Sequence, residues 1–273
     1  ILDLSAGFST NASSLSSSAT SQASKKVNIY NQMAQVLVGY DTGSNVRNFD
    51  QDGNLTAGTK HHNAVFINFS RLLAKDEIKK GSFSMIIGTG SSYSTPFSAE
   101  ATIADTGAAT SYLSNSPAGE YGLLKNGSTN VGLIYYQAGI AVLTSSVFSA
   151  AAEMDSSANT MEALLTGSTI DSVADGMRHR IKNISFNNTT ELNSTIFFCR
   201  ANHNEFNYSS NPTYLSGSKI IVKDDEPLNL PRAYVTTVGL YSPDNELMAV
   251  AKVSEPLRKD PTNELTLRVR LDY

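Results

Sequence analysis

One cysteine, Cys199, is all the thiol chemistry that this chain of 273 residues possesses. It cannot close an intramolecular disulfide, so burial and hydrogen bonding must hold the fold. Its setting in TIFFCRA reads as a buried strand position occupied by a structural thiol. No signal-peptide pattern stands at the start, and the two absences together point to synthesis in a reducing cytosol. The first residue is Ile1 rather than Met, so a missing or processed start is expected.

Charge is equally thin. Charged residues make up 17% of the chain and the net charge is −4, so no global field exists to hold a polyanion, and a nucleic-acid partner is not expected. The densest basic cluster, Arg178, His179, Arg180 and Lys182, falls on a stretch where Ile170, Val173, Met177, Ile181 and Ile184 follow helical spacing. That spacing leaves the basic side chains on the opposite, wet face. Long apolar runs are missing too. The most apolar stretch, VGLIYYQAGIAVL (131–143), is too short to span a bilayer and is broken by Gln137 and Gly139, so it predicts two buried strands or one bent one.

What is present is Ser, Thr and Asn in quantity, with apolar segments between them. Residues 1–22 are dominated by Ser, Thr and Ala without an apolar period and predict a flexible arm. Val27, Tyr30, Met33, Ala34 and Leu37 predict a helix from about Ser24 to Val38. Strand patterns dominate from Val46 to Thr144, helical ones from 145 to 184 with Ser168 as a cap, and strands return in STIFFCRA, SKIIVK and LTLRVRLDY. In the stretch VTTVGLYSPDNELMAVAKV (235–253), Pro243 sits second in a four-residue loop, Ser242 to Asn245, which suits a type I turn. A hairpin pairing Leu240 with Leu247, Val238 with Ala249 and Thr236 with Ala251 follows. The expected fold is α+β, mainly antiparallel β, sandwich or barrel-like, with an N-terminal helix and a helical insertion, as a single domain over 23–273.

Asp-Thr-Gly occurs twice, at Asp41 and at Asp105, and two such carboxylates sharing a proton could activate a water as in aspartic-type proteases. Against this, the first copy follows a helix and runs into turn residues, and Asp-Thr-Gly is an ordinary strand-to-turn sequence. DQDGN (Asp50 to Asn54) begins like a calcium loop but has Leu55 at the sixth place and His61 at the last. Adjacent His61 and His62 point apart on an extended chain, and no Cys or His cluster completes a zinc set. GTGSS (Gly88 to Ser92) lacks the third glycine and the following helix of a phosphate-binding loop. The residues call for no catalytic group, cofactor or metal.

The stretches NIYNQMAQVLVGYD, AVFINFSRLLAKDEIKKGSFSM, AGEYGLL with GLIYYQAGIAVLT, FFCRANHNEFNYSSNPTY and YVTTVGLYSPDNELMAVAKVSEPLRKD resemble virion structural proteins of tailed bacteriophages, particularly the contractile-tailed phages of cyanobacteria and other marine bacteria. The resemblance spans about residues 24 to 273. It implies a structural subunit of the virion, in the tail or baseplate, made in the host cytoplasm and working in symmetric copies against other virion proteins. It supplies no catalytic residues. A neck or collar component, a fibre or receptor-binding module, and a protease using Asp41 and Asp105 are the alternatives.

Overall fold

Three apolar runs, AVFINF (64–69), VGLIYY (131–136) and IAVL (140–143), show no polar alternation. A strand made from any of them needs cover on both faces. The computed structural model describes residues 2–12, 21–167, 169–220 and 231–273, and the chain divides into two units, Ile1–Thr190 and Glu191–Tyr273. Unit 1 provides that double cover.

Its elements are β1 (Leu2–Phe8), α1 (Ser21–Leu37), β2 (Asn63–Phe69), β3 (Ser84–Gly88), β4 (Glu100–Ala104), β5 (Leu113–Ser116), β6 (Gly119–Asn126), β7 (Thr129–Tyr135), β8 (Ile140–Thr144), α2 (Met161–Gly167), α3 (Ile170–Arg180) and β9 (Ile181–Ser185). The strands form one curled sheet in the order β1-β2-β8-β7-β6-β4-β3-β9, with β5 added on β6. Each of these pairings is antiparallel. The expected α+β, mainly antiparallel class therefore holds, and the 131–143 run is two strands joined by a turn.

Alternate residues of the central strands enter opposite cores. Val65, Ile67 and Phe69 pack with Ile134, Leu143, Leu164 and Met177 on one face. Ala64 and Phe66 pack with Tyr30, Leu37, Leu133 and Val142 on the other. Each fully buried large apolar side chain contributes about 1.5–3 kcal/mol. Helix α1 covers the second core through Tyr30, Ala34 and Leu37. It stops where Gly39, at φ +79°, donates its N–H back to the Ala34 carbonyl.

The first strand corrects the expected arm at 1–22. β1 pairs with β2 from Leu2↔Phe69 to Phe8↔Asn63, and Ala6 and Phe8 are fully buried. Only glycine fits at position 7, because a Cβ there would meet the Lys26 carbonyl oxygen at 2.5 Å and the Tyr30 nitrogen at 2.8 Å. The Ser-rich remainder of the expected arm, residues 13–20, lies outside the described residues, as does the expected cap Ser168. Thr169 caps α3, its hydroxyl accepting from the Ser172 N–H.

Helix α3 ends at Arg180, so the expected continuation through Ile181 and Ile184 is also corrected. Both belong to β9, where an extra residue between Ile181 and Asn183 bulges the strand. The bulge returns Ile184 to the face of Ile181 and so counterfeits helical spacing.

Over 23–273, where a single domain is expected, the chain forms two compact units that meet between Thr190 and Glu191 in sequence. Unit 2 holds β10 (Ser194–Ala201), β11 (Ala233–Tyr241), β12 (Leu247–Lys259) and β13 (Leu265–Asp272). β10 pairs with β13 from Ser194↔Asp272 to Ala201↔Leu265, and β11 with β12 as a hairpin. The hairpin is as expected but its register is not: Leu240 faces Ala249 and Val238 faces Ala251. The turn explains the slip. Asn245 donates to the Ser242 carbonyl and stands at φ +63°, while Ser242 pairs with Glu246. That is a type I turn closed by a left-handed residue, with a bulge in the strand that follows. Of SKIIVK, Lys219–Ile220 forms a short strand and 221–223 lie outside the described residues.

Candidate functional site

The chemical candidates fall apart into structural roles. Asp41 is exposed, and its Oδ1 accepts the N–H groups of Gly43 and Asn45, each at 2.8 Å. The Asn45 N–H, foremost, holds its carboxyl below the ordinary range. Asp105 is buried at the end of β4, where Oδ1 accepts from Phe83 N–H at 3.0 Å and Oδ2 from Gly81 N–H at 2.7 Å and Tyr136 O–H at 3.0 Å. The two carboxylates have no partner in common, and each is accounted for by the turn it ties.

DQDGN is a turn crossed by a short ladder. Asp50 is fully buried and accepts from Lys60 Nζ at 2.6 Å, while the Gly53 carbonyl accepts from Tyr121 O–H and Asn115 Nδ2. His61 is buried opposite Phe49, and burial, partly opposed by Asp50, pushes its pKa down to about 4. His62 turns the other way, with Nδ1 2.7 Å from Ser9 Oγ. Among the described residues no three His, Cys, Asp or Glu side chains are grouped to hold a metal.

The basic cluster dissolves as well. Arg180 is fully buried, not solvated: Nη1 donates to the carbonyls of Gly88 and Gly90, and Nη2 to that of Glu153. It thereby holds the GTGSS loop against the end of α3. Arg178 pairs with Asp175, Lys182 with Glu100, and His179 stacks on Tyr93. A second buried cation escaped the sequence reading. Lys26 donates to the Leu164 and Leu165 carbonyls near the end of α2, a favourable place for a cation. Its signal was its position on the Tyr30, Ala34, Leu37 stripe of α1.

The surface of unit 2 is different in kind. Ala233 is the one buried apolar side chain among its described residues; of its buried polar groups, Asn207, Lys259 and Asp260, the Lys259 ammonium donates to Asn207 and to the His203 carbonyl. Cys199, expected to be buried, is half-exposed on β10. An open cleft of about 430 Å³ runs between the β10–β13 ladder and β11, with Cys199, Leu265 and Leu267 on one side and Val235 and Val238 on the other. Tyr241, at 64% exposure, lines it, and elsewhere on unit 2 large apolar side chains stand in water, including Phe198 at 69% and Met248 at 67% exposure.

No family model matches the chain. No curated protein and no solved structure is significantly similar to it either. The cleft's own chemistry is that of a surface: apolar and strand-built, with Arg200 the charged residue in its lining. No helix among the described residues is long and apolar enough to cross a membrane.

Proposed function

We propose that the chain is a structural subunit of a bacteriophage virion, in the tail or baseplate, acting through protein–protein interfaces. The observation that carries the reading is the concentration of exposed large apolar side chains in unit 2, twelve of the nineteen among the described residues. Large apolar side chains left in water in such number on a folded protein mark interaction surface. The same strands contain the stretches that resemble phage virion proteins, FFCRANHNEFNYSSNPTY and YVTTVGLYSPDNELMAVAKVSEPLRKD. Catalysis has no part in the reading.

Locating the chain in a reconstructed particle tests it. Copies arranged in rings around a tail axis are expected. Density confined to a capsid shell, or to a distal fibre tip, would replace the tail or baseplate reading, and absence from purified particles would end it.

A further inference from the structure

The large sheet of unit 1 curls without closing. β1 stands at one end of its strand order and β9 at the other, so each is paired along one edge alone. The register shows which groups of β1 face the open side. Ser9 N–H donates to the His62 carbonyl, and Phe69 N–H to that of Gly139 on the far side of β2. Hydrogen bonds alternate along an antiparallel pair. Asp3, Ser5 and Gly7 are therefore bonded to β2, and the N–H and C=O groups of Leu2, Leu4, Ala6 and Phe8 point away from it. Ala6 and Phe8 are fully buried, which leaves Leu2 and Leu4 as the open stretch. On that side their backbone groups meet no hydrogen-bond partner among the described residues. An open groove of about 480 Å³ runs along it, lined by Leu2, Asp3 and Leu4, by Asp175 and Arg178 of α3, and by Ile181 at the start of β9. Leu4 and Ile181 both pack against the margin of the first core.

We infer that this seam takes up a strand from another protein: a short extended segment, apolar at alternate positions and basic between them, that adds to the free edge of β1. Strand addition draws affinity from main-chain bonds and specificity from alternate side chains. The two faces of β1 dictate the alternation, because cross-strand neighbours share a face. On the face of Leu2 and Leu4 the incoming side chains meet leucine and the margin of the first core. On the other face they meet Asp3, which is exposed and makes no ion pair among the described residues. Asp175 and Arg178 satisfy each other at 3.0 Å, so Asp3 sets the net charge of the groove and favours a basic residue opposite it. The same carboxylate argues against a second copy of this chain. An open edge that runs only from Leu2 to Leu4 can pair with itself only by bringing Asp3 close to Asp3, and like charges opposed across a ladder are destabilising. The inference goes beyond the reading of unit 2 as interaction surface and does not rest on it.

Titrating the purified full chain with the end-blocked peptide Lys-Val-Lys-Val-Lys, followed by amide exchange in NMR, tests the inference independently of where the chain sits in any particle. The amides of Leu2 and Leu4 should slow as peptide is added, while those of Asp3 and Ser5, already bonded to β2, should not change. The same residues in block order, Lys-Lys-Lys-Val-Val, should bind at least about tenfold more weakly, since they cannot match both faces at once. Asp3→Lys should weaken the alternating basic peptide at least about tenfold and take up Glu-Val-Glu-Val-Glu instead. A loss of stability alone does not exchange one preference for the other. Leu4→Pro removes an N–H that β2 does not use, a change that edge strands accept, and should abolish binding with the sheet intact. No binding at millimolar peptide, equal binding of the two orders, or a preference unmoved by Asp3→Lys would each overturn the inference. Protection of Leu2 and Leu4 that rises with chain concentration in the absence of peptide would assign the seam to a second copy and overturn it as well.

Discussion

Lys26 and His61 make stability depend on pH in windows that single residues control. Burial lowers Lys26 from 10.5 to about 8, so between those values the unfolded chain binds the proton more tightly than the folded one. Folding is then favoured as pH rises through the window. Tyr30, Tyr121, Tyr135 and Tyr136 are all raised by burial, Tyr121 to about 12. They act in the opposite sense: above about pH 10 the unfolded chain loses protons that the folded chain keeps, and stability falls. Thermal melts should therefore show unit 1 gaining stability from pH 8 towards 10 and losing it beyond, and Lys26→Met should remove the gain. On the acid side, His61 is depressed from 6.5 to about 4, so its contribution is complete above 6.5 and is lost as pH falls towards 4. His61→Phe should flatten the melting temperature across that window. Asp105→Asn, by weakening bonds to Gly81, Phe83 and Tyr136, should lower stability by about 1–3 kcal/mol in chemical denaturation. Asp41→Asn should change stability far less, its carboxylate being exposed.

The elements show how a local pattern can be right about existence and wrong about extent. Asn245 sits at φ +63°, a conformation that costs roughly 1–2 kcal/mol for most L-residues and least for Gly and Asn. Asn245→Val should therefore destabilise the hairpin by about that much, while Asn245→Gly should be neutral or better, as read by amide exchange along β11 and β12. Replacing Ser242 to Asn245 with Asn-Gly should remove the bulge and pair Leu240 with Leu247, a shift of two residues that leaves the faces of the strands beyond the turn unexchanged, as read by amide exchange. The turn was legible because Pro, Asp and Asn each signal one. The bulge was not, since it depends on how the left-handed residue hands the chain back to the strand. β1 hid for a related reason: its cover comes from β2, some sixty residues away, and Leu2, Leu4 and Phe8 look sparse among small polar residues. In β2, β7 and β8 the continuous apolar runs announced burial on two faces, and the structure agrees.

At the scale of the molecule, the division at Thr190 and Glu191 carries no proline or glycine signal. Strands alternate on both sides of it. What changes is how much of each apolar residue leaves water, a property of neighbours rather than of pattern. Calorimetry should resolve two transitions, the one for unit 2 lower because few of its described apolar side chains leave water, the one for unit 1 higher. A chain truncated after Thr190 should keep the upper transition unchanged. A single transition would show that the units unfold together.

The strand order also dictates a timetable. β9 closes the large sheet against β3, although Ser84–Gly88 leaves the ribosome nearly a hundred residues before Ile181–Ser185. Lys26 likewise waits for Leu164 and Leu165. Pairings this distant in sequence are slow to form and leave unfinished sheet edges open in the meantime. The nascent chain must carry β3 unsealed until α3 and β9 emerge, and only afterwards does the ribosome release the ribbons of unit 2. Unit 2 follows unit 1 along the chain, so its exposed apolar side chains are absent for the whole interval in which the large sheet is incomplete.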